Sequence, residues 1–314
     1  MANKMPKVSV IINCYNGEKY LKEAIDSVYA QTYENWEIIL WDNCSTDRTP
    51  DIAKIYDERL RYFKSEKLMP LGYARNKAVE KAEGLYVAFL DCDDIWLPEK
   101  LEKQIELFKR DNEVGLVYSK CYTLEDELTK AYEIKMFRGE VFEKLFIRNF
   151  LPFVTIVVKK ELLELVNGFN SDLHIITDYD LYLKLARLTK FDFVPEPLAK
   201  YRVHSGNESK KVVLTIEEIL KVYDLWEKED NSSEYKKALN LGRQNYLIDL
   251  ATFYLNHGKV DEAVFQLKKS LDYTFTARAF VKYASLKYFG TGCYNFAAKL
   301  RKKFLKGFPN YEDS

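Results

Sequence analysis

Long apolar runs are missing from this chain. The first candidate, Val8-Ser-Val-Ile-Ile12, is too short for the core of a signal peptide and far too short for a bilayer span. The expectation is therefore a cytoplasmic chain without an export or membrane segment. Cysteine is scarce as well. The five present, Cys14, Cys44, Cys92, Cys121 and Cys293, are odd in number and widely spaced, with no Cys-x-x-Cys pair to suggest zinc or dithiol chemistry. That usage suits a reducing compartment. No Gly-x-Gly-x-x-Gly follows the first apolar strand, which argues against a dinucleotide oxidoreductase. Asn13-Cys-Tyr-Asn-Gly17 is likewise not the glycine-rich, basic loop with which a sugar nucleotidylyltransferase would open. Neither sign of charge is in excess: 48 Lys and Arg balance 48 Asp and Glu, so the overall balance gives no nucleic-acid signal.

What the chain does have is alternation. Residues 7–13 read as a strand, 14–17 as a loop, and a helix follows from about residue 18 with Leu21, Ala24, Ile25 and Val28 on one face. The unit repeats: residues 36–41 form an apolar strand ending in Asp42, a polar turn follows over 43–47, and a helix begins with Thr49 as N-cap and Pro50 at its first position. Residues 60–63 make a weaker strand, 72–82 an amphipathic helix closed by Gly84, and 85–90 a buried strand. A helix over 98–110 and a strand over 114–119 complete this half. Alternation of this kind implies an α/β fold with a mostly parallel sheet and right-handed crossovers. Beyond a polar loop at 123–139, helices are expected near 140–148 and 161–166, with a strand at 153–159 between them. A further helix opens at Thr177, carrying Leu181, Leu185 and Leu188 on one side.

Acids stand where strands end. Asp91-Cys-Asp-Asp94 follows the 85–90 strand directly, at the edge where open α/β sheets bind ligands. Clustered carboxylates repel one another unless a cation or a set of donors neutralises them, and hard divalent ions prefer oxygen. The cluster reads as a metal site with a diphosphate partner, or as a turn before the next helix with Asp91 and Asp93 solvated. Asp42 either meets a ribose or base or serves its own turn with Ser45 and Thr46. Asp178, in the first turn of its helix, is either a general base facing the same crevice or a cap favouring the helix dipole.

From about residue 211 the pattern turns wholly helical, with helices expected over 215–227, 233–257, 260–271 and 276–289. The second and third look like one tetratricopeptide-type hairpin turning at Gly258, with Ala263 at the close contact. The division expected is 1–210 for the α/β domain and 211–314 for a helical region. The last stretch, 287–308, mixes aromatic residues with Lys299, Arg301, Lys302, Lys303 and Lys306. It either lies in an anionic membrane interface or packs on the neighbouring hairpin.

Several motifs stand together in order: Pro6-Lys-Val-Ser-Val-Ile-Ile-Asn-Cys-Tyr-Asn16, Trp41-Asp-Asn-Cys-Ser-Thr-Asp47, Ala74-Arg-Asn76, Asp91-Cys-Asp-Asp94, Gly168-Phe169, Asp178-Tyr-Asp-Leu181 and Tyr201-Arg-Val-His204. Over about residues 6–207 the chain resembles glycosyltransferase family 2. The resemblance implies a GT-A fold, a nucleotide-sugar donor (a UDP-sugar), Mg2+ or Mn2+, inversion at the anomeric carbon, and a glycan or lipid-linked acceptor at the cell surface. It also implies roles. Tyr15, Asn16 and Asp42 would line the nucleoside pocket, with Arg75, Asp91 and Arg202 as further donor-binding groups. Asp93, Asp91 and His204 would serve the metal, and Asp178 would be the base. Two departures stand out: Thr177-Asp178 replaces the family's usual Glu-Asp, and Asp42-Asn43 its usual pair of acids. The competing expectation is a non-catalytic nucleotide-binding or scaffold protein whose helical tail recruits partners.

Overall fold

The computed structural model describes residues 7–125, 128–132, 134–204, 211–229 and 235–305. Pro6 and residues 205–207, at the two ends of the family-like stretch, lie outside them. The chain divides into two compact units, residues 1–145 with 149–210, and residues 146–148 with 211–314.

The first unit opens as the alternation predicts, with β1 (Val8–Cys14), α1 (Leu21–Tyr29), β2 (Trp36–Asp42), α2 (Thr49–Ala53), β3 (Leu60–Lys64), α3 (Leu71–Val79) and β4 (Tyr86–Phe89). It continues through β5 (Ile95–Trp96), α4 (Lys100–Arg110), β6 (Val114–Glu125) and β7 (Leu128–Tyr132). Then come α5 (Phe142–Ile147), whose last two residues belong to the second unit, β8 (Val157–Lys159), α6 (Lys160–Leu165), α7 (Thr177–Ala186) and β9 (Lys190–Arg202).

Among the described residues the strands form one sheet in the order β3-β2-β1-β4-β8-β6-β9-β5, with β7 added to β6. The first four are parallel, as β1 pairs in register with both β2 and β4. Strand order reverses between β1 and β4, and the crevice at such a reversal, outside the carboxyl ends, is the ligand edge of an open α/β sheet. Past β4 the sheet becomes mixed: β8 runs antiparallel to β4 and β6, while β9 runs parallel to β6. The all-parallel part of the sheet is therefore its first four strands, and the rest is mixed.

Continuous apolar sequence makes the central strands. β2 is buried at every position, and Val8, Val10, Ile12 and Cys14 of β1 pack with Leu21, Ala24, Ile25 and Val28 of α1, as the helical spacing requires.

Three local expectations change. The loop expected over 123–139 begins as a hairpin, because β6 runs on to Glu125 and β7 returns along it. Only Val157–Lys159 of the strand expected at 153–159 pairs in the sheet, Phe153–Thr155 forming a 3-10 turn. β9 lies in sequence that carries no strand signal, since Pro195 and Pro197 interrupt it; Pro197 sits at a register shift against β6, where a missing N–H is tolerated.

The second unit contains α8 (Val212–Glu229), α9 (Lys236–Asn256), α10 (Val260–Tyr273) and α11 (Ala277–Leu305), the last kinked at Gly290. α9 and α10 join through Gly258 at φ 75°, the left-handed conformation that ends a helix most easily at glycine. Ala263 is fully buried against Ile248, Ala251 and Leu267, giving the close contact expected of the hairpin. Phe146, from α5, stacks on Tyr235 of this unit with ring centroids 5.2 Å apart. The side chains of the basic aromatic stretch from residue 293 onward lie outside those described.

Candidate active site

The loops after β1 and β2 are knitted into one wall. Asn16 accepts from the Thr46 N–H at 2.9 Å through Oδ1, and its own N–H donates to Ser45 Oγ at 2.9 Å. The Gly17 N–H donates to Thr49 Oγ1 at 3.0 Å and the Glu18 N–H to Asp47 Oδ2 at 2.8 Å. Thr49 therefore does not act as the N-cap: its own N–H is held by Asp47 Oδ1 at 3.0 Å, and its hydroxyl serves the neighbouring loop. A Cβ on Gly17 would stand 2.3 Å from Cys14 Sγ and 3.3 Å from Cys92 Sγ, so a side chain here would have to displace Cys14 and would crowd the loop after β4. Tyr15, at the tip of the wall, is 51% exposed.

Asp42 is fully buried at the end of β2. Its Oδ1 accepts from the Ser45 N–H at 2.6 Å and its Oδ2 from the Tyr62 hydroxyl at 2.5 Å, with Lys64 Nζ 3.7 Å away. The turn role anticipated for it is present, extended by two side chains from β3. Asn43, which replaces the second acid, ties the same turn to residue 69 by accepting the Met69 N–H and donating to its carbonyl.

Arg75 stands at the centre of the site. It is buried on α3 with its guanidinium 3.9 Å from the Phe153 ring centroid. Nη2 donates to Asp91 Oδ1 at 3.1 Å and Nη1 to Thr177 Oγ1 at 3.0 Å. One side chain thus connects the acid after β4 with the first turn of α7, residues 86 positions apart in sequence. Thr177 takes the Arg75 hydrogen bond and caps nothing; the N-cap position is Ile176, which has no side-chain cap. Asn76, beside Arg75, brackets Phe169 by accepting its N–H and donating to its carbonyl, both at 2.8 Å. A Cβ on Gly168, at φ 62°, would sit 2.3 Å from Asn76 Oδ1. The Ala74-Arg-Asn76 and Gly168-Phe169 motifs are therefore two halves of one joint.

Asp178 is half-buried in that first turn and forms no ion pair among the described residues. Burial pushes its carboxyl above the usual range, Asp91 adds to the rise, and Arg75 and neighbouring N–H groups oppose it. A helix N-terminus alone would hold such a group ionised; here burial outweighs that effect. One turn further on, the Tyr182 hydroxyl is wholly buried and has no hydrogen-bond partner among the described residues. Burial raises its pKa, with the Asp178 and Asp91 charges acting in the same direction and Arg75 against. An unsatisfied buried hydroxyl is unfavourable. Tyr182→Phe should leave the thermal midpoint of the free protein unchanged or raise its stability by up to about 1 kcal/mol. A calorimetric scan showing clear destabilisation would mean that the hydroxyl has a partner.

On the opposite side of the loop after β4, Asp93 Oδ2 lies 2.7 Å from His204 Nε2. Asp94 is 1% exposed; its Oδ1 accepts the Arg202 N–H at 2.8 Å, while Oδ2 has no partner among the described residues. Burial first, and then the Asp93 and Asp91 charges, push its carboxyl well up. Arg202 ends β9, and its Nε donates to the Asp93 carbonyl at 2.7 Å. Its Nη2 reaches Glu23 Oε2 at 2.5 Å, and its guanidinium lies 4.3 Å from the Tyr20 ring centroid. Sequence reading missed Tyr20, Glu23 and Tyr62. Glu23 meets Arg202 across 179 positions, and no local pattern marks such a pair.

These groups meet at the reversal of strand order, the loops after β1, β2 and β4 facing α7 and the end of β9. Solved structures share the fold. The Staphylococcus aureus TarS fragment crystallised with UDP-GlcNAc is similar at TM-score 0.66 and 18% identity, covering 95% of this chain and 92% of that one. The Pyrobaculum calidifontis mannosyltransferase PcManGT, solved with GDP-Man and Mn2+, is similar at 0.62 and 18%, covering 99% and 89%. The fold is that of a GT-A glycosyltransferase. The glycosyl transferase family 2 model matches residues 9–164. A glycosyltransferase of Rickettsia typhi is 32% identical over 262 residues, 81% of this chain and 82% of its own length. The Escherichia coli enzyme WfgD, a UDP-Glc:alpha-D-GlcNAc-diphosphoundecaprenol beta-1,3-glucosyltransferase, is 31% identical over 181 residues, 57% and 70% of the two chains. The chain belongs to glycosyltransferase family 2.

Proposed function

We propose that this transferase moves a sugar from a UDP-sugar to a hydroxyl of a glycan or lipid-linked acceptor in surface polysaccharide synthesis, by one displacement that inverts the anomeric carbon. The observation that carries this reading is the Arg75 bridge, which joins a carboxylate on the donor side of the crevice to the helix turn holding Asp178. In this reading Asp178 accepts the proton of the attacking hydroxyl, and its raised proton affinity suits a base. Arg75 and Arg202 meet the negative charge that grows on the departing diphosphate. Tyr15 and Asn16, on the pinned wall, form one side of the nucleoside pocket, with Asp42 beneath it holding the turn in shape. WfgD's name, with a UDP-sugar donor and a diphosphoundecaprenol acceptor, supports these donor and acceptor classes.

The acids fit a hard divalent cation. Asp91 and Asp93 offer carboxylate oxygens at one sheet edge; burial pushes Asp91 up, Arg75 opposes the rise and the Asp93 charge adds to it. Among the described residues no group of three or more His, Cys, Asp or Glu side chains is assembled into a ready-made cation site. Asp93, Asp91 and His204 would hold Mg2+ or Mn2+, whose chemistry is Lewis-acid stabilisation of the leaving phosphate. PcManGT, solved with Mn2+, supports the assignment.

A panel of nucleotide sugars with Mg2+ or Mn2+, followed by thermal shift and nucleoside diphosphate release, tests the reading. One uridine-based donor should stand out, and Asp93→Ala should lose the metal-dependent part of the shift. Equal indifference to every donor would sink it. We place the enzyme on the cytoplasmic side of the membrane, with the basic aromatic C-terminus touching anionic lipid; sedimentation with vesicles containing phosphatidylglycerol checks this. No helix among the described residues is long and apolar enough to cross a membrane.

A further inference from the structure

Arg202 is held from three directions. Its backbone N–H is fixed by Asp94, its Nε by the Asp93 carbonyl, and its Nη2 by Glu23. Tyr20 lies under the guanidinium, and the same ring stacks on His204 with centroids 5.9 Å apart. Tyr20 and Glu23 belong to α1 and the turn before it, so the end of β9 is clasped onto the first helix across the loop that carries Asp91 and Asp93.

We propose that Glu23 is an internal competitor for the donor, occupying the edge of Arg202 that the nucleoside diphosphate takes. The inference rests on Arg202 being a diphosphate ligand. Carboxylate and phosphate are the two anions that match the planar N–H fork of arginine, and an N–H committed to Glu23 at 2.5 Å cannot also serve a phosphate oxygen. The contacts to Asp94, Asp93 and Tyr20 are not interchangeable with phosphate in this way: two fix the strand end and one is an aromatic face. They keep the guanidinium in place while its anion is exchanged. The exchange is easy because the Glu23 side chain is 55% exposed, so its carboxylate returns to water at little cost, while that of Arg202 is only 10% exposed. The consequence is a donor site whose affinity is deliberately blunted. Glu23 re-forms its pair as the spent nucleoside diphosphate departs, which shortens the product's residence.

The test is calorimetric titration of UDP with Mn2+ into the full-length wild type and Glu23→Gln, which keeps size and helix while removing charge. Glu23→Gln should bind UDP about two- to fivefold more tightly, the range an exposed ion pair supports. Uridine, without phosphates, should bind both proteins equally, and the KM for the donor should fall in Glu23→Gln. In an Arg202→Gln background the effect of Glu23→Gln should shrink towards zero. Unchanged or weaker UDP binding by a Glu23→Gln protein of wild-type melting temperature would overturn the inference and make Glu23 a support for Arg202. A wild type that binds no UDP with Mn2+ would instead remove the diphosphate reading of Arg202, and the inference with it.

Discussion

Asp178→Asn is expected to cut kcat for sugar transfer about a hundred- to ten-thousandfold while leaving donor binding nearly intact. The amide has the shape of the carboxylate but cannot accept the proton of the attacking hydroxyl, so only the step that needs a base is lost. Stability separates this from unfolding, and its sign follows from the raised pKa. A carboxyl whose pKa is higher in the folded chain contributes stability that is full below its unfolded pKa and is lost as pH rises through the folded one. At neutral pH the ionised, half-buried Asp178 is therefore a burden on the fold, and Asp178→Asn should melt no lower than wild type. The same shift places the acidic limb of the kcat profile above the ordinary carboxylate range, with activity rising as pH climbs through it. A variant that keeps wild-type turnover, or a profile without that limb, would remove Asp178 from the chemistry.

The parallel half of the sheet was legible because its strands are short, continuous apolar runs separated by helices whose buried faces repeat at 3.6 residues. β7 was not, since all five of its residues are exposed and no alternation marks it. β9 was hidden by its two prolines and by burial on only part of its length. At the site, sequence order identified which acids end strands but not what each one touches. The Ser45 N–H bond to Asp42 is local and could be anticipated as a turn; the Tyr62 bond comes from the neighbouring strand and could not. Thr49 and Thr177 both look like helix caps, because Ser and Thr before a helix usually are, yet tertiary partners claim both hydroxyls. The pairing of Asn76 with Phe169 likewise needs the packing of α3 against the approach to α7.

Arg75→Met carries the second large expected effect, on both fold and chemistry. Methionine fills much of the side chain's volume but supplies neither the guanidinium that lies over Phe153 and Phe169 nor its two hydrogen bonds. Breaking a buried pair costs about 3–5 kcal/mol where the remaining charge is stranded. The Asp91 side chain, however, is 35% exposed, so water recovers part of that and about 1–3 kcal/mol is expected in denaturant unfolding. Transfer should fall about a hundred- to thousandfold, the usual loss when one fixed electrostatic partner of the reacting charge is removed. Arg75 also holds down the proton affinities of Asp91 and Asp178, so its loss should move the acidic limb of the profile to higher pH. If Arg75 works largely by setting the charge and position of Asp178, the two substitutions act on one unit. The double variant Arg75→Met with Asp178→Asn should then lose little more activity than the worse single variant. Losses that multiply in the double variant would show instead that Arg75 serves the leaving group independently of the base.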